Sequence, residues 1–211
     1  DALWKIVRDG IWRFYEDARV AVALLECNAY EAQHMSKQLE DVLGVPVTPL
    51  LLADFLARVE HYTSTFDVLV TTLHHLSVVS AAAGEEADRV VGLHSVPTPA
   101  GALAIARAPC GSRLGVVCST EPSVESLTSL VRSYNAEIEV YSHLVTNTAG
   151  LAEFIAGVDL IVDTISTHDY ILELSPPVPV ITIAFRIEAQ SIDFLKAQLM
   201  AITRARVAQA A

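Results

Sequence analysis

The sequence lacks a long apolar run, a secretory leader and an excess of basic residues, and each absence excludes a class of protein. No stretch approaches the ~20 consecutive apolar residues of a membrane-spanning helix. No basic start followed by an apolar segment marks a secretory signal. Acidic residues outnumber basic ones by 25 to 14, and the net charge of −11 disfavours direct contact with nucleic acid. We therefore expect a cytoplasmic protein, and we expect this part of it to bind neither membranes nor DNA.

Cysteine is scarce as well. Cys27, Cys110 and Cys118 are an odd number and do not have the spacing of a metal site. Free thiols of this kind are typical of a reducing cytosol. The first residue is Asp1 rather than methionine, which leaves room for a further N-terminal domain in the intact protein.

Sequence motifs for cofactors and for common hydrolases are also missing. The chain has no glycine-rich phosphate loop and no Ser-x-x-Lys, Gly-x-Ser-x-Gly or His-Glu-x-x-His motif. His74 and His75 are adjacent, so their side chains point in different directions, and no second ligand follows at a metal-binding spacing. We predict no cofactor and no metal, and we interpret His74 as a hydrogen-bonding residue.

What the sequence does contain is a repeated strand pattern. Residues 66–77 read FDVLVTTLHHLS, in which an apolar run ends in small polar residues, as a strand buried on both faces of a parallel sheet does. Residues 158–164 read VDLIVDT and repeat this pattern, with Asp67 and Asp159 ninety-two positions apart. The earlier strands, AVALLECN and LGVVCST, each reach a cysteine, and Cys27 and Cys118 are ninety-one positions apart.

These repeats, and the regular alternation of strands with helices, predict an α/β fold of two similar Rossmann-like lobes with parallel sheets and an interlobe cleft. Residues 19–97 form lobe 1 and residues 98–184 form lobe 2 in this interpretation. Residues 1–18 are predicted to be a linker or dimer helix. Residues 185–211 are predicted to contain a C-terminal helix that could return to lobe 1.

Ligands of open α/β sheets bind beyond the carboxyl ends of the strands, where backbone N–H groups of helix N-termini attract anions. Asp163, His168 and His94 lie at such ends, but we favour a smaller set of ligand-binding residues: Cys27, Asn28, Thr71, Thr72, His74, Ser119, Thr120 and Thr164. This set predicts a small polar or anionic ligand between the lobes. The alternative is that these hydroxyl groups only cap helices.

Two thiols at strand ends suggest an enzymatic alternative. A helix N-terminus lowers the pKa of a thiol, and a pair of thiols can remove and return one proton. Cys27, Asn28 and Ala29 are similar to the Cys-Asn-Thr-Ala motif of aspartate/glutamate racemases. This resemblance implies a cofactor-independent racemase with Cys27 and Cys118 as catalytic residues.

A second resemblance covers residues 20–200. The chain resembles the effector-binding region of bacterial GntR-type winged-helix transcription regulators in five stretches: ALLECNAYEAQHMSKQLEDVLGVPVTPLLLADF, FDVLVTTLHHLSVV, GVVCSTEPSVESL, VDLIVDT and PVPVITIAFRIEAQSIDFL. In fold this region resembles the lobes of periplasmic binding proteins.

The regulator resemblance implies a homodimer that contacts DNA only through an N-terminal domain. A small-molecule effector would bind the eight residues named above and favour a closed arrangement of the lobes, because its affinity for that state is higher. Closure would be relayed through residues 1–18 to the DNA-binding domains. A solute-binding protein of the same architecture is a further alternative.

Overall fold

A computed structural model describes residues 20–210, in which strands and helices alternate. The strands are β1 (Val22–Glu26), β2 (Val47–Leu51), β3 (Val68–Thr72), β4 (Val90–Leu93), β5 (Ser95–Pro97), β6 (Arg113–Cys118), β7 (Glu139–Leu144), β8 (Leu160–Thr164), β9 (Val180–Ile183) and β10 (Phe185–Ile187). The helices are α1 (Ala29–Leu43), α2 (Leu52–Ala57), α3 (Val59–Thr65), α4 (Leu73–Ala83), α5 (Pro99–Ala106), α6 (Glu121–Tyr134), α7 (Leu151–Ala156), α8 (Ile165–Glu173) and α9 (Ala189–Ala210). The predicted helix within residues 1–18 lies outside the described residues.

The chain divides into two compact units. Unit 1 comprises Asp1–Val96 and Arg186–Ala211, and unit 2 comprises Pro97–Phe185. The unit boundaries fall within β5 and β10, which form a two-stranded sheet of their own. No helix within residues 20–210 has the length and the apolar composition needed to cross a bilayer.

Unit 1 is built on a parallel sheet with the strand order β2-β1-β3-β4. Every residue of β1 and β3 is buried, because the sheet has an apolar cluster on each face. The continuous apolar runs of these two strands are therefore the consequence of burial on both sides.

Unit 2 has the same arrangement, with the strand order β7-β6-β8-β9 and parallel pairing throughout. It too has two apolar clusters, one on each side of the central strands β6 and β8. The prediction of an α/β fold with two parallel, Rossmann-like sheets is confirmed.

The internal repeat has a structural counterpart at the amino ends of the central strands. Asp67 accepts a hydrogen bond from the backbone N–H of Ala21 at 2.7 Å, and Asp159 accepts one from that of Arg113 at 2.8 Å. Donor and acceptor are 46 positions apart in both units. The repeated aspartates thus fix the start of each central strand pair and are not part of the carboxyl edge.

Helix α9 packs on unit 1. Leu195 and Leu199 are fully buried in the cluster that also contains residues of β1 and β3. The Ser191 hydroxyl accepts a hydrogen bond from the backbone N–H of His94 at 3.0 Å, and Arg206 pairs with Asp67. The C-terminal segment therefore completes the core of the unit that contains residues 20–96.

Two helices differ from the sequence pattern. The pattern predicts one helix over residues 53–62, whereas the structure has two, α2 and α3, divided at Arg58, whose backbone departs from helical geometry. The pattern also predicts a helix that starts at Leu76, whereas α4 begins at Leu73. The chain enters α4 directly from β3, so His74 and His75 lie in the first turn of the helix.

Candidate functional site

The carboxyl edge of the unit 1 sheet places polar side chains at the start of two helices. β1 ends at Glu26, whose side chain is buried although it is acidic. Strand alternation turns the next side chain outward, and Cys27 is exposed. Asn28 then caps α1 by accepting a hydrogen bond from the backbone N–H of Glu31 at 2.8 Å. The chain thus passes from strand to helix within two residues, which keeps Glu26 and Cys27 at the edge.

Helix α4 brings a histidine to the same edge. Nε2 of His75 lies 3.3 Å from Oε2 of Glu26, and the Cys27 thiol is a second hydrogen-bond partner of the ring. The bond to Cys27 and then the bond to Glu26 raise the pKa of His75 to about 10, against the opposing effect of burial. His75 is therefore positively charged at neutral pH and offsets part of the cost of burying the carboxylate.

One oxygen of the Glu26 carboxylate takes no part in these hydrogen bonds. Oε2 also accepts from the backbone N–H of Cys27 at 3.3 Å, whereas Oε1 is buried and has no hydrogen-bond partner among residues 20–210. Burial, and secondly the charge of Glu26, raise the pKa of nearby Glu31 to about 7. Because an unpartnered buried carboxylate oxygen costs free energy, such groups are characteristic of functional sites.

The carboxyl edge of unit 2 holds a second buried acid. Asp163 of β8 is fully buried, and its Oδ2 lies 3.0 Å from Nδ1 of His168 in α8. The same ring nitrogen lies 2.8 Å from the hydroxyl of Thr182 in β9. Burial raises the pKa of Asp163, and hydrogen bonds from Thr182 and His168 oppose that rise. Oδ1 is buried and unpartnered within the described part of the chain.

Both units have a buried acid and a histidine at the carboxyl edge, although Glu26 and Asp163 are not equivalent positions of the 92-residue repeat. A buried carboxylate lies at the end of a central strand and is contacted by a histidine near the start of a helix, His75 on Glu26 and His168 on Asp163. In each pair one carboxylate oxygen has no partner among residues 20–210. Each edge can therefore accept one further hydrogen bond or one positive charge.

Several predicted ligand residues are helix caps. Asn28 caps α1, and Thr120 caps α6 by accepting a hydrogen bond from the backbone N–H of Ser123 at 3.4 Å. Thr164 forms a capping box with Thr167 at the start of α8. Ser119 is half-buried immediately before Thr120. Asn28, Thr120 and Thr164 hold the helix N-termini at the carboxyl edges, as the capping alternative predicts.

The remaining predicted residues lie on β3 and α4. Thr71 is fully buried, and its hydroxyl donates to the carbonyl oxygen of Leu25 at 3.0 Å, so it joins β3 to β1. Thr72 is buried at the N-cap position of α4. His74 is exposed, because a rotation of about 100° per helical residue turns it away from its neighbour. The histidine that the structure brings to Glu26 is His75.

The two cysteines are not equivalent. Cys118 ends β6 with its side chain buried, and burial, followed by the charge of Asp163, raises the pKa of the thiol to about 12. At the 92-residue spacing of the repeat, Cys118 corresponds to Glu26 and Cys27 to Ser119. The prediction that Cys27 and Cys118 occupy equivalent positions of the repeat is therefore wrong by one residue. Successive residues of a strand face opposite sides of the sheet, so the two thiols lie on opposite faces.

Five residues of these clusters are absent from the favoured ligand set: Glu26, His75, Asp163, His168 and Thr182. The sequence places Asp163 and His168 at strand ends but favours other residues. The available signal for Glu26 was a single acidic residue at the end of an otherwise apolar strand. His75 could not be distinguished from His74 without the start of α4. Thr182 lies in β9, and the sequence alone does not show that β9 is the neighbour of β8, which carries Asp163.

Comparisons with known proteins address the fold. The family profile described as the YmtS Rossmann-like domain matches residues 115–206. None of the curated proteins compared with this sequence matches it. Nine solved structures match, and one of them is an ABC domain in complex with L-Trp from Streptococcus pneumonia. That structure has a TM-score of 0.51 and 15% identity, with 88% of this chain and 84% of that chain covered.

Two further structures are similar at lower scores. A ligand-free, open substrate-binding protein with adhesive properties from Clostridium difficile has a TM-score of 0.43 at 11% identity, over 77% of this chain and 73% of that chain. A glutamate racemase isoform from Bacillus anthracis has a TM-score of 0.35 at 15% identity, over 89% and 82%. The chain thus has an α/β fold shared with a known amino-acid-bound domain, and residues 115–206 are similar to the YmtS Rossmann-like domain.

Proposed function

We propose that this chain is a small-molecule-binding domain whose ligand contacts the carboxyl edge of the unit 2 sheet. The observation that supports this most is Asp163, a fully buried carboxylate with one oxygen unpartnered among residues 20–210. A buried acid of this kind lowers stability, and it is expected where a ligand supplies the missing donor.

The groups around Asp163 indicate the chemistry of the ligand. A carboxylate oxygen that lacks a donor favours an amine or hydroxyl group. The N-termini of α6 and α8, capped by Thr120 and Thr164, present backbone N–H groups that favour an anion. A small zwitterion such as an amino acid carries both groups. The ligand class bound by the similar ABC domain, L-Trp, is consistent with this choice.

A racemase function is less well supported than ligand binding. The two-thiol mechanism needs Cys118 to lose its proton, yet burial and Asp163 raise the pKa of this thiol to about 12. Nearly all of it is therefore protonated at neutral pH, and it is a weak base for proton abstraction. We propose a binding protein rather than an enzyme.

A thermal-shift screen of amino acids and related small polar molecules tests the binding function. We expect at least one of them to raise the melting temperature, and Asp163→Asn to weaken its binding about 10-fold, because the variant removes the charge but keeps the shape. Asp159→Asn is the matched control, since Asp159 precedes the same strand at its amino end and is exposed. Equal affinity in the wild type and in Asp163→Asn would overturn the site.

We further propose that the binding domain belongs to a homodimeric transcription regulator of the GntR type and relays effector binding to an N-terminal DNA-binding domain. This proposal is based on the sequence resemblance. The net charge of −11 supports placing DNA contact elsewhere in the intact protein. Two further points stay predictions from the sequence: that the ligand lies between the lobes, and that its binding closes them.

Fluorescence anisotropy with the intact gene product tests the regulatory proposal. DNA from the promoter of its own gene should be bound, and the ligand from the thermal screen should change the apparent affinity at least several-fold. Binding that is insensitive to the ligand would contradict the sensor role and would leave the binding site itself unaffected.

A further inference from the structure

The carboxyl end of β1 brings together three side chains that are metal ligands by chemistry. The carboxylate of Glu26, the thiol of Cys27 and the imidazole of His75 each offer one ligand atom, and these atoms lie within 4.8 Å of one another. Within residues 20–210 no other group of three His, Cys, Asp or Glu side chains meets this criterion. We propose that these three residues bind a thiolate-preferring divalent metal ion such as Zn²⁺.

The distances already resemble those of a coordinated ion. Tetrahedral Zn²⁺ with bonds of about 2.0–2.1 Å to nitrogen and oxygen places those two ligand atoms about 3.3 Å apart. Nε2 of His75 and Oε2 of Glu26 are separated by 3.3 Å. Cys27 is exposed, so rotation of its side chain can bring the sulfur to the longer Zn–S distance of about 2.3 Å.

The electrostatics of the site also suit a dication. A thiolate from Cys27 and the carboxylate of Glu26 together carry two negative charges, which neutralise Zn²⁺, and binding releases the proton of the Cys27 thiol and the extra proton of the His75 ring. The side chain of Glu26 is only 6% exposed, and its Oε1 has no partner within the described chain. The hydrogen bond from His75 reaches Oε2 alone, and the buried Oε1 gains a partner if the carboxylate binds the metal through both oxygens.

The donor set selects the class of metal. Mg²⁺ and Ca²⁺ prefer oxygen ligands, whereas one sulfur, one imidazole nitrogen and one carboxylate oxygen suit Zn²⁺ and related transition metals. Three protein ligands leave the fourth position of a tetrahedral ion open for water or an exogenous donor. The site is in unit 1 and does not depend on ligand binding at Asp163 in unit 2.

Cobalt(II) titration of the wild-type chain, monitored by absorption, tests the proposal. A thiolate ligand produces a sulfur-to-cobalt charge-transfer band, and a tetrahedral site produces strong visible bands that disappear when Zn²⁺ displaces the cobalt. Loss of a residue that only hydrogen-bonds to a metal ligand costs about 10–100-fold in metal affinity, so we expect loss of a direct ligand in Cys27→Ser or His75→Asn to cost at least about 100-fold. Cys27→Ser is an exposed substitution and should leave the fold intact.

Cys110→Ser and His74→Asn are the matched controls. Both residues are exposed, and neither belongs to the cluster. They should retain the wild-type spectrum and affinity. Absence of the charge-transfer band in the wild-type chain, or affinities equal in Cys27→Ser and Cys110→Ser, would overturn the site and identify any bound metal as adventitious. Either outcome would leave the thermal screen at Asp163 unchanged.

Discussion

Replacing His168 with alanine is expected to lower the free energy of unfolding by about 3 kcal/mol at neutral pH. His168 is the ring that contacts the fully buried carboxylate of Asp163, at 3.0 Å from Oδ2. Oδ1 already lacks a partner within residues 20–210, so the substitution leaves the acid with still fewer donors. Urea unfolding followed by far-ultraviolet circular dichroism measures the change.

The effect of His168→Ala should depend on pH in a defined direction. Burial raises the pKa of Asp163 above its ordinary value of 3.8. A carboxyl group with a raised pKa favours the folded state below its ordinary pKa, and this contribution is lost as the pH rises through the folded value. His168→Ala removes a hydrogen-bond donor that opposes the rise in the pKa of Asp163. The loss of stability relative to the wild type should therefore be largest at neutral pH and should shrink toward about pH 3.

A double variant separates this electrostatic effect from simple loss of packing. Asp163→Asn in the His168→Ala background replaces the buried charge with a neutral amide and should recover most of the lost stability, to within about 1 kcal/mol. If His168→Ala alone changes the stability by less than about 0.5 kcal/mol, the pairing with Asp163 is not an important interaction.

Leu199→Ala is expected to have an effect of similar size for a different reason. Leu199 is 0% exposed in the cluster that α9 shares with β1 and β3. Truncating such a leucine removes its transfer free energy and leaves a cavity, which typically costs 2–5 kcal/mol, so we expect a loss of about 3 kcal/mol. Denaturant unfolding of the whole chain provides the measurement.

Met200→Ala is the matched control for Leu199→Ala. It is the next residue of the same helix and is 40% exposed. We expect it to change stability by less than about 1 kcal/mol, since an exposed site loses little buried surface. Equal losses in the two variants would mean that α9 does not pack on unit 1 through Leu199.

The fold was predictable where the signal is local or periodic. The apolar runs of β1, β3, β6 and β8 identify strands buried on both faces, and their alternation with helices identifies parallel sheets. The helix stop at Gly44 is also a local signal, because its backbone is left-handed with φ of 73°. Such features depend on neighbouring residues and can be inferred from a single sequence.

The candidate site was less predictable because its parts come from separate elements. Glu26 and His75 meet only because β1 and β3 are neighbours and α4 starts directly after β3. His74 was favoured over His75 because it follows the strand end more closely, whereas the helix start at Leu73 is what turns His75 towards Glu26. The alignment of Cys27 with Cys118 followed residue type, whereas the 92-residue repeat of the backbone aligns Cys27 with Ser119. A shift of one residue exchanges the buried and exposed faces of a strand.

Hydrogen exchange of the wild-type chain, with and without the ligand from the thermal screen, tests the central claim most directly. The ligand is proposed to bind at the carboxyl edge of the unit 2 sheet. We predict that amide exchange slows at residues 118–123 and 163–168, which form the strand ends and the first turns of α6 and α8. Slowing confined to the opposite edge, around Arg113 and Asp159, would contradict the claim.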